Sequence, residues 1–207
     1  MKIVCISDSH RQHDKLTLPE GDMILHAGDI SGRGRKIEME EFLEWFSALP
    51  YQYKVFIAGN HDFFAEKNRA EFRQMIPNNC IYLEDSGVEI EGIHIWGSPI
   101  TPWFYDWAFN RHRGMEIRPH WNKIPLHTDI LITHGPPYDI LDRTAAGIKA
   151  GCEDLSHKIA EVKPRLHLFG HIHEAYGQRT IGETTYINAS VLDLKYQQVN
   201  DPVVFEW

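Results

Sequence analysis

The stretch Lys54–Asp62, KVFIAGNHD, decides the fold, because it joins a mostly apolar run to a group of chemically active side chains. Its first five residues form a short run that Gly59 ends, which predicts a buried β-strand. Asn60, His61 and Asp62 follow that strand directly. Amide, imidazole and carboxylate groups are side chains that bind metal ions or move protons. The sequence therefore predicts a functional group at the carboxyl end of a strand.

The same arrangement recurs four more times along the chain, each time as a buried-strand pattern that ends in Asp or His. In open α/β sheets ligands bind in the crevice at the carboxyl ends of the strands, so we expect the five ends to converge. In extended backbone, residues i and i+2 point the same way, which pairs Asp8 with His10 and His171 with His173. The four further ends are Ile3–Ser7 before Asp8-Ser9-His10, Met23–Ala27 before Gly28-Asp29, Ile130–Thr133 before His134-Gly135, and Leu166–Phe169 before Gly170-His171-Ile172-His173.

Over the rest of the chain, short apolar runs alternate with amphipathic stretches. Apolar residues at i, i+3, i+4 and i+7 from Met39 predict a helix that ends before Pro50, and further helices are predicted over about 64–76 and 154–162. This order predicts an α/β fold with either a mixed sheet or two packed sheets. The remaining predicted strands are Cys80–Leu83, Val88–Ile90, Ile93–Gly97, Thr184–Asn188 and Val203–Glu206.

The segment from Trp96 to Leu126 has a composition of its own, with four of the six tryptophans and four prolines. It predicts an extended loop with at most one short helix, inserted in a single domain that spans residues 1–207. Its clustered rings favour a small satellite core. The alternatives are a wall beside the site on which a nucleobase stacks and a contact surface in a homo-oligomer.

The composition limits the classes of protein to which this chain can belong. A chain of 207 residues with 43% hydrophobic residues is long enough to bury a core, and a formal charge of -8 argues against long nucleic acid as a partner. No apolar run approaches the roughly 18 residues of a membrane span, and the first residues do not form a signal-peptide core. Three widely spaced cysteines predict a reducing compartment. We therefore expect a cytoplasmic globular protein that does not bind a membrane.

Seven residues at the five strand ends have side chains of metal-binding types: Asp8, His10, Asp29, Asn60, His134, His171 and His173. One ion takes roughly four to six ligands, whereas two ions that share a carboxylate would use all seven and leave positions for solvent and substrate. Two metals about 3.5–4 Å apart generate hydroxide and stabilise the attacking and leaving oxygens of an in-line displacement. Their charge would also draw a phosphate into the crevice of an acidic protein.

These motifs, Asp-x-His, Gly-Asp, Gly-Asn-His-Asp, His-Gly and Gly-His-x-His in that order, resemble those of the calcineurin-like metallophosphoesterases. Thr133–Pro137, Gly170–Glu174 and Ile187–Ser190 are most similar to the metallophosphoesterase-domain-containing branch, which is similar to cyclic-nucleotide phosphodiesterases. The resemblance implies an α/β fold in which two mixed sheets pack as a sandwich flanked by helices. It also implies two transition-metal ions, with Mn expected first and Fe or Zn as alternatives that imidazole-rich sites suit.

The resemblance further implies a role for each matching residue. Asp8, His10, Asp29 and His173 would hold the first metal, and Asp29, Asn60, His134 and His171 the second, with Asp29 bridging. His61 would protonate the leaving oxygen or stabilise the transition state, with Asp62 as its orienting partner. Asp62 is equally placed to cap the helix that begins near Phe64. His26 and the histidines outside the motifs are expected to be structural or on the surface.

The activity implied is hydrolysis of small phosphodiesters such as cyclic nucleotides, by attack of a hydroxide bound to both metals. The alternatives are a phosphomonoesterase or nuclease of the same superfamily and a non-catalytic metal-binding scaffold. A nuclease would need a basic groove, which the net charge of -8 does not predict. A scaffold would tend to lose a ligand or His61, and this sequence retains them all. The motifs do not specify the residues that read the substrate.

Overall fold

The short apolar runs form strands in two large mixed sheets in the computed structural model, which describes all 207 residues. The strand order is β13-β1-β2-β3-β4 in the five-stranded sheet and β11-β12-β10-β9-β6-β5 in the six-stranded sheet. The strands are β1 Lys2–Ile6, β2 Met23–His26, β3 Tyr53–Phe56, β4 Ile81–Tyr82, β5 Ser86–Ile90, β6 Ile93–Ser98, β7 Thr101–Pro102, β8 Asn110–Arg111, β9 Ile130–Thr133, β10 Leu166–Phe169, β11 Gly177–Ile181, β12 Thr184–Asn188 and β13 Val203–Glu206.

The two sheets pack face to face. Each central strand has apolar side chains on both of its faces, and one of these faces meets the other sheet. Ile3 and Cys5 of β1 belong to a buried cluster that also contains Ile130 of β9 and Leu168 of β10, so this cluster joins the two sheets. Val4 belongs instead to a second cluster on the outer faces. A strand buried on both faces is typical of parallel sheets covered by helices.

Helices cover the outer faces. The helices are α1 Lys36–Ala48, α2 Phe63–Lys67, α3 Arg69–Met75, α4 Arg118–Trp121 and α5 Glu153–Val162. Phe42 and Phe46 of α1 are buried in the same outer cluster as Leu155 and Ile159 of α5. Two mixed sheets with helices outside confirm the predicted sandwich. No helix is long and apolar enough to cross a membrane.

Three local predictions change. The helix predicted over 64–76 is split in two at Asn68, whose backbone leaves the helical region. Strand β11 was not predicted, because its residues are exposed and polar and it pairs only with β12 at a sheet edge. The aromatic segment 96–126 contains one short helix, as predicted, but also the two-residue strands β7 and β8.

The carboxyl ends of β1, β2 and β3 lie at the same edge as those of β9 and β10, because these strands run parallel within each sheet. A bridge between Ser7 and Ser190 links the two sheets at that edge. The Ser7 amide donates to the Ala189 carbonyl at 2.9 Å, and the Val191 amide donates to the Ser7 carbonyl at 3.1 Å. The fold thus brings all five predicted strand ends together.

Candidate metal centre

The side chains at the five strand ends converge into groups of donor atoms that lie within 4.8 Å of one another. One group is Asp8, His10 and His173, and another is Asp29, His134 and His171. Asn60 joins the second group, since its Oδ1 lies 2.8 Å from His134 Nε2. The structure therefore brings together all seven residues whose side-chain types predicted metal binding.

Asp29 lies between the two groups. Its Oδ2 is 3.7 Å from His10 Nε2 and 3.3 Å from His134 Nε2, so one carboxylate oxygen faces a nitrogen of each group. Its Oδ1 accepts the His61 amide N–H at 2.7 Å, which fixes the rotation of the carboxylate. Asp8 is held similarly, because Ser190 Oγ donates to its Oδ2 at 2.7 Å and the His171 amide donates to the same carboxylate.

Backbone carbonyls orient three of the imidazole rings. Nδ1 of His10 lies 3.0 Å from the Ser31 carbonyl oxygen, Nδ1 of His134 lies 2.9 Å from the Ala27 oxygen, and Nδ1 of His173 lies 3.0 Å from the Asp193 oxygen. A carbonyl oxygen only accepts, so each Nδ1 carries a proton and each Nε2 is the ring nitrogen that faces the centre. This arrangement fixes the tautomer of metal-binding histidines.

Glycine and left-handed backbone allow this close approach. A Cβ on Gly59 would clash with the carboxylate of Asp29, and a Cβ on Gly170 would clash with that of Asp8. Asp8, Asp29 and His171 themselves have φ values of 55°, 55° and 68°. Positive φ is uncommon for residues with a side chain and clusters at functional sites.

The electrostatics of the groups fit a cation. Asp8 and Asp29 are only 0% and 2% exposed, and the basic groups within ion-pair distance of them are histidines alone. Burial opposes ionisation, but the neighbouring imidazoles hold the pKa of both carboxyls below the usual range. Burial likewise lowers the pKa of His134 and His173, yet the charges and hydrogen bonds of Asp29 and Asp8 raise each of them to about 9.

These pKa values favour protonated His134 and His173 beside the two buried carboxylates. Metal ligands must be deprotonated, so a bound cation takes the place of these protons. Buried carboxylates with neutral imidazoles and one amide oxygen are a donor set suited to Mn, Fe or Zn. The residues present fit transition-metal ions.

Comparison with known proteins agrees with this geometry. The family model described as calcineurin-like phosphoesterase matches residues 1–175. The chain belongs to the calcineurin-like phosphoesterase family. It is therefore a metal-dependent phosphoesterase, a hydrolase that acts on phosphoester bonds.

Relatives of this calcineurin-like phosphoesterase match it along almost its whole length. Metallophosphoesterase domain-containing protein 1 of Homo sapiens is 43% identical over 229 residues, which cover 99% of this chain and 70% of that protein, and the Mus musculus protein gives the same values. A UPF0046 protein of Caenorhabditis elegans is 36% identical over 99% of this chain and 74% of its own length. The crystal structure of phosphopantetheinyl hydrolase from Mycobacterium tuberculosis has a TM-score of 0.63 at 12% identity, covering 92% of this chain and 89% of that one, which shows likeness of fold alone.

His61 of this calcineurin-like phosphoesterase lies beside both groups of donor atoms. Its Nε2 is 4.0 Å from Asp29 Oδ2, and its Nδ1 lies 2.9 Å from the Gly32 carbonyl oxygen. The ring of Trp107 lies against it at a centroid distance of 4.3 Å, and the ring of His10 at 4.5 Å. The imidazole is thus fixed in orientation, with Nε2 directed toward the centre.

Asp62 occupies the N-cap position of α2, as expected, but its carboxylate makes neither of the two predicted contacts. Its carboxylate makes no hydrogen bond to His61, which the Gly32 carbonyl orients instead, and it makes no cap hydrogen bond to α2. It accepts instead from Ser31 Oγ at 2.7 Å and from the Gly59 amide at 2.7 Å. The reason is that Asp62 points into the interior, where it ties the loop after β2 to the loop after β3. Its influence on His61 is therefore indirect.

Three residues at the site lie outside the five metal-type motifs. Tyr196 lies over the centre, with its ring 4.9 Å from that of His10 and with a φ of 57°. Ser190 and Trp107 contact Asp8 and His61 as described above. Trp107 had a signal in the aromatic segment and Ser190 had one in Ile187–Ser190, whereas Tyr196 had none. The aromatic segment is divided, because Trp121 and Phe109 are 1% and 0% exposed and belong to the core.

The histidines outside the motifs are structural where they are buried. His26 Nε2 lies 2.9 Å from Ser9 Oγ, and its Nδ1 accepts the Gly28 amide, so both ring nitrogens have partners. His167 of β10, in the six-stranded sheet, is fully buried, with Nε2 2.8 Å from Thr133 Oγ1. Neither belongs to a group of metal-binding donors.

Proposed function

We propose that this phosphoesterase is a dinuclear phosphodiesterase whose substrates are small phosphodiesters or nucleotides, such as cyclic nucleotides. The observation that carries the proposal is the position of Asp29, whose Oδ2 faces a histidine nitrogen of each donor group at 3.7 and 3.3 Å. Two transition-metal ions held there would polarise phosphoryl oxygens and lower the pKa of water. In this assignment the first ion is held by Asp8, His10, His173 and Asp29, and the second by Asn60, His134, His171 and the same Asp29.

His61 is the residue that we assign to the leaving group. Since its Nδ1 faces the Gly32 carbonyl, the ring can exchange a proton with substrate only through Nε2. A protonated ring would donate from Nε2 to the leaving alcohol oxygen, and Trp107 limits the rotation that would turn the ring away. Asp62 acts as a positioning residue, because it holds Ser31 next to the Gly32 carbonyl that His61 uses.

The surroundings of the cleft support a diester more than a monoester. A diester carries an organic group on each side of phosphorus, and recesses adjoin both donor groups. One recess includes His171, Phe104 and Leu194, all of which also line the cleft. The other includes His10 and Tyr196. Substrate would therefore have room on each side of the metal centre.

The test is hydrolysis of bis-p-nitrophenyl phosphate and p-nitrophenyl phosphate by chelated protein after Mn²⁺, Fe²⁺ or Zn²⁺ is added back. We expect turnover that depends on metal, is highest with Mn²⁺, and has a larger kcat/KM for the diester. A larger kcat/KM for the monoester would identify a phosphomonoesterase. Absence of turnover in protein shown to bind two ions would favour a non-catalytic scaffold.

We also propose a cytoplasmic location. All three cysteines are free and buried, which supports a reducing compartment. Cell fractionation with an antibody to the protein tests this, and recovery in an oxidising compartment would contradict it.

A further inference from the structure

A largely apolar pocket of about 560 Å³ opens directly beside the metal centre. Its volume lies in the roughly 300–1,000 Å³ range of small-molecule sites. It shares Phe104, His171 and Leu194 with the cleft that contains Asp29 and His61. Phe104 is 58% exposed and Leu194 is 57% exposed, so the junction has large apolar side chains that nothing in the protein covers.

The pocket is built by two segments that are tied together. The aromatic segment 96–126 contributes Trp103 and Phe104, and the loop 138–151 contributes Tyr138 and Ile148. Arg113 joins the segments, since its Nη2 donates to the Ala150 and Gly151 carbonyls. A pocket with its walls held in this way is formed before a ligand arrives, which lowers the cost of binding.

The loop 138–151 is itself fixed by internal hydrogen bonds. Buried Asp142 accepts the amides of Asp139 and Gly151 at 3.0 and 3.1 Å through Oδ2. Glu174, which directly follows His173, accepts the Ala145 amide. The loop 138–151 is therefore hydrogen-bonded to the residue next to His173 of the candidate metal centre.

The charges on the rim argue against a second anionic group. Arg113 and Lys149 line the pocket together with Glu153 and Glu174, so the charges balance. Lys149 Nζ is also paired with Asp139 at 2.6 Å. A ligand with apolar faces fits this pocket, and a further phosphate does not.

We infer that this pocket binds the aromatic part of an alcohol or nucleoside that is esterified to the phosphate, with the flat side chains of Trp103, Phe104 and Tyr138 and the exposed side chain of Ile148 around it. The inference rests on the proposed function and narrows it to phosphoesters of aromatic or heteroaromatic alcohols and nucleosides. Aromatic side chains form a surface on which flat rings stack, whatever their detailed substituents. The residues of the pocket would thus determine specificity without taking part in bond cleavage.

The experiment measures binding of phenyl-, cyclohexyl- and methylphosphonate to the Mn²⁺-loaded protein by calorimetry, together with their inhibition of bis-p-nitrophenyl phosphate hydrolysis. The three probes share the anionic group and differ only in the organic group. We expect phenylphosphonate to bind at least about tenfold more tightly than methylphosphonate, and more tightly than cyclohexylphosphonate. Equal affinity of the phenyl and methyl probes would overturn the inference, and equal affinity of the phenyl and cyclohexyl probes would overturn its aromatic part.

Ile148→Ser should reduce the preference for phenyl over methyl severalfold, because Ile148 is 63% exposed and lines the pocket. Leu126→Ser is the matched control, since Leu126 is 67% exposed and lies outside the pocket lining, and it should keep the wild-type preference. Trp103→Ala is a second pocket variant, and thermal melting checks the fold of all three. A wild-type preference in both pocket variants would refute the assignment. Selective phosphonate binding without diester hydrolysis would refute the proposed function but support the aromatic pocket. Diester hydrolysis without selective phosphonate binding would support the proposed function and refute the aromatic pocket.

Discussion

Replacing Asp29 with Asn tests the shared position with the smallest change of shape. The side chain accepts the His61 amide through Oδ1, while Oδ2 faces His10 at 3.7 Å and His134 at 3.3 Å. Asparagine can keep an amide oxygen toward the His61 N–H, but it then presents an NH₂ group, which cannot act as an acceptor, where Oδ2 stood. Both proposed ions would lose a charged ligand at once.

The size of the effect follows from comparison with milder changes. Loss of a hydrogen-bond partner behind a ligand already lowers metal affinity about 10–100-fold. Loss of a charged direct ligand should therefore lower the affinity for each ion by at least about 100-fold, or about 2.8 kcal/mol per ion. Diester turnover should fall in parallel with metal content.

The assay is the number of Mn²⁺ ions bound per chain over a series of buffered free Mn²⁺ concentrations, with circular dichroism as a check on folding. Asp8→Asn is the matched control, because Asp8 belongs to one donor group only and should weaken one ion while leaving the other. If Asp29→Asn releases one ion and retains the second at wild-type affinity, Asp29 does not bridge. Equal profiles for the two variants would refute the reasoning as well.

Three further changes have distinct expected outcomes. His61→Ala should lower kcat for the diester about 10²–10⁴-fold with metal content unchanged, and unchanged kcat would remove it from the mechanism. Gly170→Ala should lower the free energy of unfolding by about 1–3 kcal/mol in urea melts, because its Cβ would clash with the Asp8 carboxylate. In the control Gly135→Ala the Cβ has room, so the free energy of unfolding should fall far less. Burial lowers the pKa of His167 to about 3, so the unfolded chain takes up this proton first and stability is lost as pH falls from about 6.5 toward 3. His167→Phe should remove up to about 1.4 kcal/mol per pH unit of that loss in acid titrations of stability, and an unchanged slope would contradict the assignment.

The central strands could be predicted from sequence because burial on both faces makes them continuously apolar. Ile130–Thr133 and Leu166–Phe169 appear in the structure with the predicted bounds. Strand Gly177–Ile181 gave no such signal, because an exposed edge strand is held by the backbone of β12 rather than by its own side chains. The break at Asn68 was also invisible, since Phe64 and Phe72 continue an apolar pattern across it.

The candidate site also contains residues that could be predicted from the sequence and residues that could not. The side chains of metal-binding types could be predicted because each directly follows a strand, so the sheet determines its position. Tyr196 could not, because it lies in a loop whose path is set by contacts with Gln12 and Asp193 rather than by any local pattern. The absence of a hydrogen bond between Asp62 and His61 was equally hidden, since adjacent residues in a turn can point in opposite directions.

The backbone of the site explains why the frame around it has to be rigid. Asp8, His10, Asp29 and His171 all have φ between 38° and 68°, and residues held in such sparsely populated regions cost on the order of 1–3 kcal/mol each. That total is comparable with the whole stability of a typical domain, roughly 5–15 kcal/mol. The loops therefore cannot keep this shape alone, and they are tied to each other: the Asp8 amide donates to the Gly28 carbonyl at 2.9 Å, and the His10 amide donates to the Asp29 carbonyl at 3.0 Å. These hydrogen bonds join backbone groups at the ends of β1 and β2, so the five-stranded sheet itself holds the candidate ligands of these two loops in place.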